Sequence, residues 1–388
     1  MGPYIHTLPE WPQFQWNHEK LEDRLGVIHH EQGRLLGRME GLGFKARQEA
    51  VLKTLTEDVL KSSEIEGERL DADQVRSSIA RRLGMDIGGL KPVDRNVEGV
   101  VEMMLDATRR YEEPLSAERL FAWHSSLFPT GRSGMSRIRV GAWRDDSRGP
   151  IQVISGPIGK ERIHFEAPVA GKIDSEMSRF LDWFNGSSEN DWILKAVLAH
   201  LWFVTIHPFD DGNGRIARAI ADMALARSER SSQRFYSMSA QIRQEGAAYY
   251  EILERTQSGS LDITPWMDWF LGCLGRAIEG AQATLGTVLS KARFWEAVGD
   301  FPINERQRLV LNRLLDGFEG KLTTSKWAKL ATCSHDTALR DIAALVDCGI
   351  LVRNPEGGRS TSYALGNISG QPENAITQKS ENDDRILP

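Results

Sequence analysis

Between Gly43 and Ser63 the chain reads GFKARQEAVLKTLTEDVLKSS, with apolar residues at helical spacing and no proline, which predicts a helix. NVEGVVEMMLDATRRY predicts another, and Ser116 reads as the cap of a third over AERLFAWHSSLF. The texture changes between Arg139 and Pro168. There glycine, proline and serine punctuate short β-branched runs, and IQVIS and RIHFE on either side of GPIGKE predict a hairpin at about residues 150–167. Helical patterning returns in GKIDSEMSRFLDWFNG and in DWILKAVLAHLWFVTI. The second of these is apolar on nearly every side, which predicts a central buried helix. It ends at His207, because Pro208 turns the chain out of helix. RIARAIADMALAR, AAYYEILERTQSG and TPWMDWFLGCLGRAIEGAQATL predict three more helices.

The two ends differ from this centre. Residues 1–45 form an aromatic-rich segment, WPQFQW, leading into a helical pattern toward GRLLGRM. Residues 300–365 read as a separate unit with three helical patterns, INERQRLVLNRLLDG, TTSKWAKLATC and SHDTALRDIAALVDCGI. They are followed by LVRNPEGGRSTSYAL, two short strands around a Gly-Gly turn, which is the layout of a winged helix-turn-helix. Residues 366–388 are polar and predict a disordered tail. The expected fold class is mainly α, with a helical core over about residues 46–290, a β-hairpin within it, and a C-terminal winged helix.

Composition narrows the picture. A chain of 388 residues exceeds one compact core. A net charge of −6 argues against a protein-wide nucleic-acid or acidic-membrane surface. Cys273, Cys333 and Cys348 are too scattered for a disulfide framework or a Cys-rich zinc site, which fits a reducing cytoplasm. The N-terminus has no basic region before an apolar run, Met-Gly stands in a poor myristoylation context, and no apolar stretch suits a membrane span. A cytoplasmic protein is expected. The high tryptophan content raises a homodimer.

The densest chemistry lies in HPFDDGNGRIAR, from His207 to Arg218. A glycine-containing loop that feeds a helix N-terminus suits an anion, because backbone N–H groups and the helix dipole converge there. Gly212 and Gly214 allow close approach, and Asn213 offers a side-chain donor. Arg215 and Arg218 are three apart, share a helical face and can reach neighbouring phosphates. Asp211 is a hard oxygen ligand suited to Mg²⁺, and His207 is placed to take a proton from a hydroxyl. Base, metal ligand, anion cradle and cations together describe phosphoryl or nucleotidyl transfer. Each feature alone has an ordinary structural reading as a helix terminus, a turn or a solvated face; it is their order that carries the inference.

The same twelve residues resemble the motif of the Fic (filamentation induced by cAMP) family at every defined position. The resemblance implies an all-α core with a hairpin flap, and transfer of AMP from ATP to a protein hydroxyl. It implies His207 as base, Asp211 as Mg²⁺ ligand and Phe209 as anchor of the loop. Asn213 and Arg215 would hold the α- and β-phosphates and Arg218 the γ-phosphate, with Gly212 and Gly214 intact. Upstream, KSSEIEGERL contains Ser62, Glu66 and Gly67 in a spacing that resembles the family's inhibitory helix, expected over about residues 50–67. Ser62 and Glu66 are four apart on one helical face, Gly67 ends the helix, and a carboxylate delivered to Arg218 would compete with the γ-phosphate. Tyr249 and Tyr250 resemble contacts of the adenine pocket, with Gln257 where many members have Asn; a core aromatic pair is the competing reading. His200 reads as a packed core histidine.

The leading expectation is therefore an autoinhibited adenylyltransferase that uses ATP and Mg²⁺ on the Tyr, Ser or Thr hydroxyl of a protein, which could be itself. Two alternatives stand beside it: a de-AMPylase in which Glu66 positions a water, and a nucleotide-sensing transcription regulator that binds DNA through the winged helix. Against the latter, SHDTALRDIAALVDCG carries three aspartates to one arginine, although Arg353 and Arg359 in the wing could touch phosphates.

Overall fold

The computed structural model describes residues 4–366, apart from 86–90, 148, 157–159, 161, 187–190, 300, 316–317, 319 and 356–360. The chain is mainly helical and divides into two units, Met1–Gln282 and Ala283–Pro388. The first begins with α1 (His18–Glu40), α2 (Phe44–Ile65), α3 (Ala72–Arg82), α4 (Arg95–Arg109) and α5 (Ala117–Leu127). A two-residue ladder of β1 (Arg132–Ser133) and β2 (Ser136–Arg137) follows, then an antiparallel hairpin of β3 (Gln152–Ser155) and β4 (Arg162–Glu166). The unit continues with α6 (Ile173–Asn185), α7 (Trp192–Ile206), α8 (Asn213–Glu229), α9 (Met238–Gln244), α10 (Gly246–Gln257) and the start of α11 (Thr264–Val298).

α7 is the axis of this unit. It is buried along nearly its whole length, as its all-round apolar sequence requires, and it packs side by side with α8. Its one interior cation, Lys195, donates to the carbonyls of Trp183, Phe184 and Gly186, so the charge caps the C-terminal end of α6. α4 and α5 approach so closely at Gly99 that an added Cβ would lie 1.7 Å from the Ser126 carbonyl oxygen. Only glycine permits that crossing, which fixes the position of α5 beneath the loop before α8.

The aromatic N-terminal segment packs into this first unit. The Trp11 indole donates to Glu176 and its ring meets Phe14 and Trp202, while Gln15 bridges to residues 261–263 through its backbone. The tryptophans whose number raised a homodimer have partners within the chain, among them Trp123 on Asp106, Trp183 on Trp202 and Trp266 on Trp269. α3 is an element that the patterning did not predict. Asp71 caps it by accepting from the Gln74 N–H, a start signal present in the sequence.

The second unit contains α12 (Glu305–Leu315), β5 (Leu322–Thr323), α13 (Thr324–Leu330), α14 (His335–Asp347), β6 (Leu351–Arg353) and β7 (Ser362–Leu365). Its sheet is antiparallel in the order β5-β7-β6, over a core that includes Trp327, Ile342 and Leu351. Of the three aspartates in the α14 segment, Asp341 faces inward, where Asn304 and Arg306 pair with it. The Gly-Gly turn with Arg359, and all but the first residue of the tail expected over 366–388, lie outside the described residues. Among the described residues no helix is long and apolar enough to cross a membrane.

Candidate active site

Pro208 stops α7, and His207 leaves it in the left-handed region, with φ 54 and ψ 59, while its N–H still bonds to the Phe203 carbonyl. The His207 ring Nδ1 lies 3.2 Å from the Val204 carbonyl oxygen. A carbonyl only accepts, so Nδ1 carries the proton and Nε2 is left as the acceptor. Burial holds the imidazole pKa down at about 4, opposed by the Val204 hydrogen bond and assisted by the nearby Arg144 cation. Arg144 clasps the turn from outside: its Nε donates to the His207 carbonyl at 2.8 Å and its backbone N–H to that of Pro208 at 2.9 Å.

Phe209 drops into the core and stacks on His124 with ring centroids 4.2 Å apart, beside Trp143. The loop then closes on itself. Asn213 accepts from the Phe209 N–H at 3.0 Å and donates to the Phe209 carbonyl at 2.8 Å. The donor that Asn213 offers in the sequence is thus spent, at least through one N–H, on holding the loop. Gly212 takes φ 81, and a Cβ there would come within 2.9 Å of the Phe128 ring. Asp211 accepts from the Gly212 N–H and from the Ser133 hydroxyl, and its backbone carbonyl meets the His124 ring. It borders a cleft of about 380 Å³ with Ser133, Arg139, Asp145 and Asp210. No group of three or more metal-ligating side chains occurs among the described residues. A single carboxylate beside an anion cradle still suits Mg²⁺, which uses one or two carboxylates and completes its shell with phosphates and water.

The first two turns of α8 carry the cations. Arg215 and Arg218 are 5% and 2% exposed. Arg215 lies over the Phe128 ring and its Nη1 donates to Glu68 at 2.8 Å. Arg218 donates from Nε to the Ser62 hydroxyl, and from Nη2 to the Ser62 carbonyl and to Glu66 Oε1, each within 2.9 Å. The pair is therefore not bidentate: Arg218 meets one carboxylate oxygen and two serine oxygens. Arg218 Nη1 and Arg215 Nε are buried with no partner among the described residues. Buried guanidinium N–H groups without acceptors are costly, and an anion at this helix start would satisfy them.

Ser62, Glu66 and Glu68 all come from the end of α2. Gly67, at φ 79, makes the left-handed turn that stops the helix, and Glu68 bonds back through its N–H to the Ser63 carbonyl. Glu66 passes so close to Gly214 that a Cβ there would lie 2.2 Å from its Oε1. The Tyr250 hydroxyl donates to the Ile65 carbonyl at 3.2 Å.

Tyr249 and Gln257 have their hydrogen-bond partners in the core. Tyr249 is buried, its hydroxyl bonded to His200 at 3.0 Å and its ring against Trp269. Gln257 is buried and donates to the Thr205 hydroxyl. The Tyr249 and Tyr250 rings meet, with centroids 5.1 Å apart, but Tyr249 is buried and Tyr250 is half-exposed. Tyr249 packs in the core beneath Tyr250, and the Tyr250 hydroxyl touches the end of α2. His200 is a packed core histidine, as expected, with burial lowering its pKa to about 3. Arg144, His124, Ser133 and Glu68 were not anticipated; only Glu68 lies near a recognised motif, two residues past Glu66. The β3–β4 hairpin has a bulge between Val153 and Ile154, whose side chains are 40% and 54% exposed. β4 is tied to α10 through Arg162 and His164, which both pair with Glu254. Most of the hairpin's turn, at 157–159 and 161, lies outside the described residues.

Residues 114–225, from the cap of α5 through most of α8, match the family described as Fic/DOC family. Residues 4–85, which include the end of α2, match a different one, a domain of unknown function (DUF4172). The curated relatives include proteins named protein adenylyltransferase Fic from Drosophila mojavensis, 23% identical over 266 residues, and Drosophila willistoni, 25% identical over 240 residues. These matches cover 67% and 61% of this chain but 45% and 42% of the relatives, so the chain spans less than half of their length. Among solved structures, a Fic family protein from Desulfovibrio desulfuricans G20 is 21% identical, covers 90% of this chain and 97% of its own, and superposes with a TM-score of 0.49.

Proposed function

We propose that this chain is an autoinhibited protein adenylyltransferase that transfers AMP from ATP to a hydroxyl group of a protein. The observation that carries the reading is the pairing of a histidine whose Nε2 is left as a free acceptor with a helix start whose two buried arginines are both engaged by carboxylates from α2. The relatives' name, protein adenylyltransferase Fic, supports the same reaction class.

In the proposed reaction the acceptor hydroxyl gives its proton to His207 Nε2 as its oxygen bonds to the α-phosphorus. The bond from that phosphorus to the bridging oxygen of the β-phosphate breaks, and pyrophosphate leaves. The α8 N-terminus and Arg215 and Arg218 hold the phosphate chain and take up the charge that develops on the leaving group. Asp211 would hold Mg²⁺, which neutralises phosphate charge when bound. Asn213, Phe209 and Arg144 keep the loop in shape, and Glu66 blocks the position at Arg218 until α2 shifts.

The test is incubation with ATP labelled on the α-phosphate. Glu66→Gly protein should label itself or an added protein well above wild type, and Glu66→Gly with His207→Ala should not label at all. Equal labelling with and without His207 would remove it from the mechanism. One observation favours a second reading: Glu66 Oε2 has no partner among the described residues, so it could orient a water for removal of AMP from a modified protein. Release of AMP from a labelled substrate by wild type, and its loss in Glu66→Gly, would put that reaction first. A nucleotide-sensing regulator gains nothing from a histidine held as a proton acceptor.

A further inference from the structure

The turn at the end of α2 presents two acidic side chains to α8, on either side of Gly67. Glu66 meets Arg218 and Glu68 meets Arg215, both at 2.8 Å. The two arginine side chains are 2% and 6% exposed, whereas the carboxylates are 31% and 37% exposed. The cations are therefore fixed parts of the first unit, and the anions are the parts that can leave. Arg215 has one ion-pair partner among the described residues, Glu68, and a buried Nε with no hydrogen-bond partner there. It lies one turn nearer the start of α8 than Arg218, closer to the free N–H groups that suit an anion.

We propose that α2 closes the site with two carboxylates, Glu68 occupying Arg215 as Glu66 occupies Arg218, so that a polyphosphate must displace both to seat fully. The proposal rests on the nucleotide reading above and adds a second residue to its restraint. Gly67 is what couples the two. Its left-handed turn returns the chain to the Ser63 carbonyl and brings Glu68 back toward the helix it has just left. A single movement of this turn would withdraw both anions.

The two carboxylates separate in binding measurements on the full chain. With Mg²⁺ present, titration calorimetry with ADP should show Glu68→Gln binding about fivefold more tightly than wild type, the size expected for release of one half-exposed ion pair. Glu68→Asp, which keeps the charge but shortens its reach, should fall between the two. The Glu66→Gln/Glu68→Gln double variant should bind ATP more tightly than Glu66→Gln alone. ADP affinity for Glu68→Gln equal to or weaker than wild type, with wild-type nucleotide binding intact, would overturn the second carboxylate and leave the adenylyltransferase reading standing. No nucleotide binding by wild type or any variant would overturn both.

Discussion

His207 shows how a single residue acquires a role from its neighbours. Proline after it ends the helix, the Val204 carbonyl fixes its tautomer, and burial keeps it neutral with a pKa of about 4. In the proposed reaction it is then already a base at every pH near neutrality. Labelling by Glu66→Gly protein should be flat from pH 8 to about 5.5, and an acid limb centred at the ordinary histidine value would show a solvated ring in the working state. His207→Ala should abolish labelling while calorimetry still finds ATP bound, because the ring acts on the acceptor and not on the nucleotide. The residue scale is also where the sequence was most legible. His207, Asp211, Arg215 and Arg218 lie within one turn and its flanks, so spacing alone brings them together. Glu68, Arg144, His124 and Ser133 reach the same loop from as far as 147 residues away, and nothing in local spacing encodes that. Tyr249 and Tyr250 carried two readings in the sequence, pocket contacts or a core aromatic pair, and burial separates them only in part: Tyr249 is enclosed on His200, while Tyr250 reaches the Ile65 carbonyl.

Among the elements, α2 and α5 decide the site between them. α2 was readable as a helix from its periodicity, but its meeting with α8 came only from the family resemblance, since a Ser-x-x-x-Glu-Gly spacing is common. Glu66→Gly leaves the buried Arg218 with the two Ser62 oxygens. Breaking a buried pair costs about 3–5 kcal/mol, and the partial exposure of Glu66 brings the expected loss to about 1–2 kcal/mol. The apo protein should melt a few degrees lower, and Mg-ATP should restore the loss. A melt unchanged by the mutation would mean that the contact is already open in solution. α5 acts from beneath, through His124 under Phe209 and Phe128 under Gly212. Gly99→Ala would drive a methyl group into the Ser126 backbone and displace α5. We expect a loss of stability of about 1–3 kcal/mol together with loss of nucleotide binding, measured by denaturant unfolding and calorimetry. Full binding in that variant would show that α5 does not position the loop.

For the whole molecule, the buried histidines set a common acid limit. His124, His200 and His207 all have pKa values lowered by burial, to about 4, 3 and 4. In the unfolded chain each takes up a proton near the ordinary value of about 6.5, whereas in the folded chain each stays neutral. The unfolded state therefore binds more protons between those limits, and stability falls as pH drops from about 6.5 toward 4. Urea midpoints at pH 7.5 and 5 should differ clearly, and replacement of His200 by Gln should shrink the difference. Midpoints that agree would place these rings in contact with water. At this scale the mainly helical class and the helical C-terminal patterns were plain from periodicity. The inward role of Asp341 was not, because composition counts an aspartate as surface charge until its partners are known.

The missing side chain at Gly214 has a consequence for how such a protein can change over generations. The space a methyl group would fill is the space Glu66 enters, 2.2 Å from its oxygen, and in the proposed cycle a phosphate follows the carboxylate there. The silenced and the working forms lean on the same absent atom. A lineage drifting toward permanent activity thus has no route through position 214, since any substitution that evicts the guard also bars the guest. Escape is channelled to the acidic turn, where a change can remove the restraint and leave the machinery beneath it untouched.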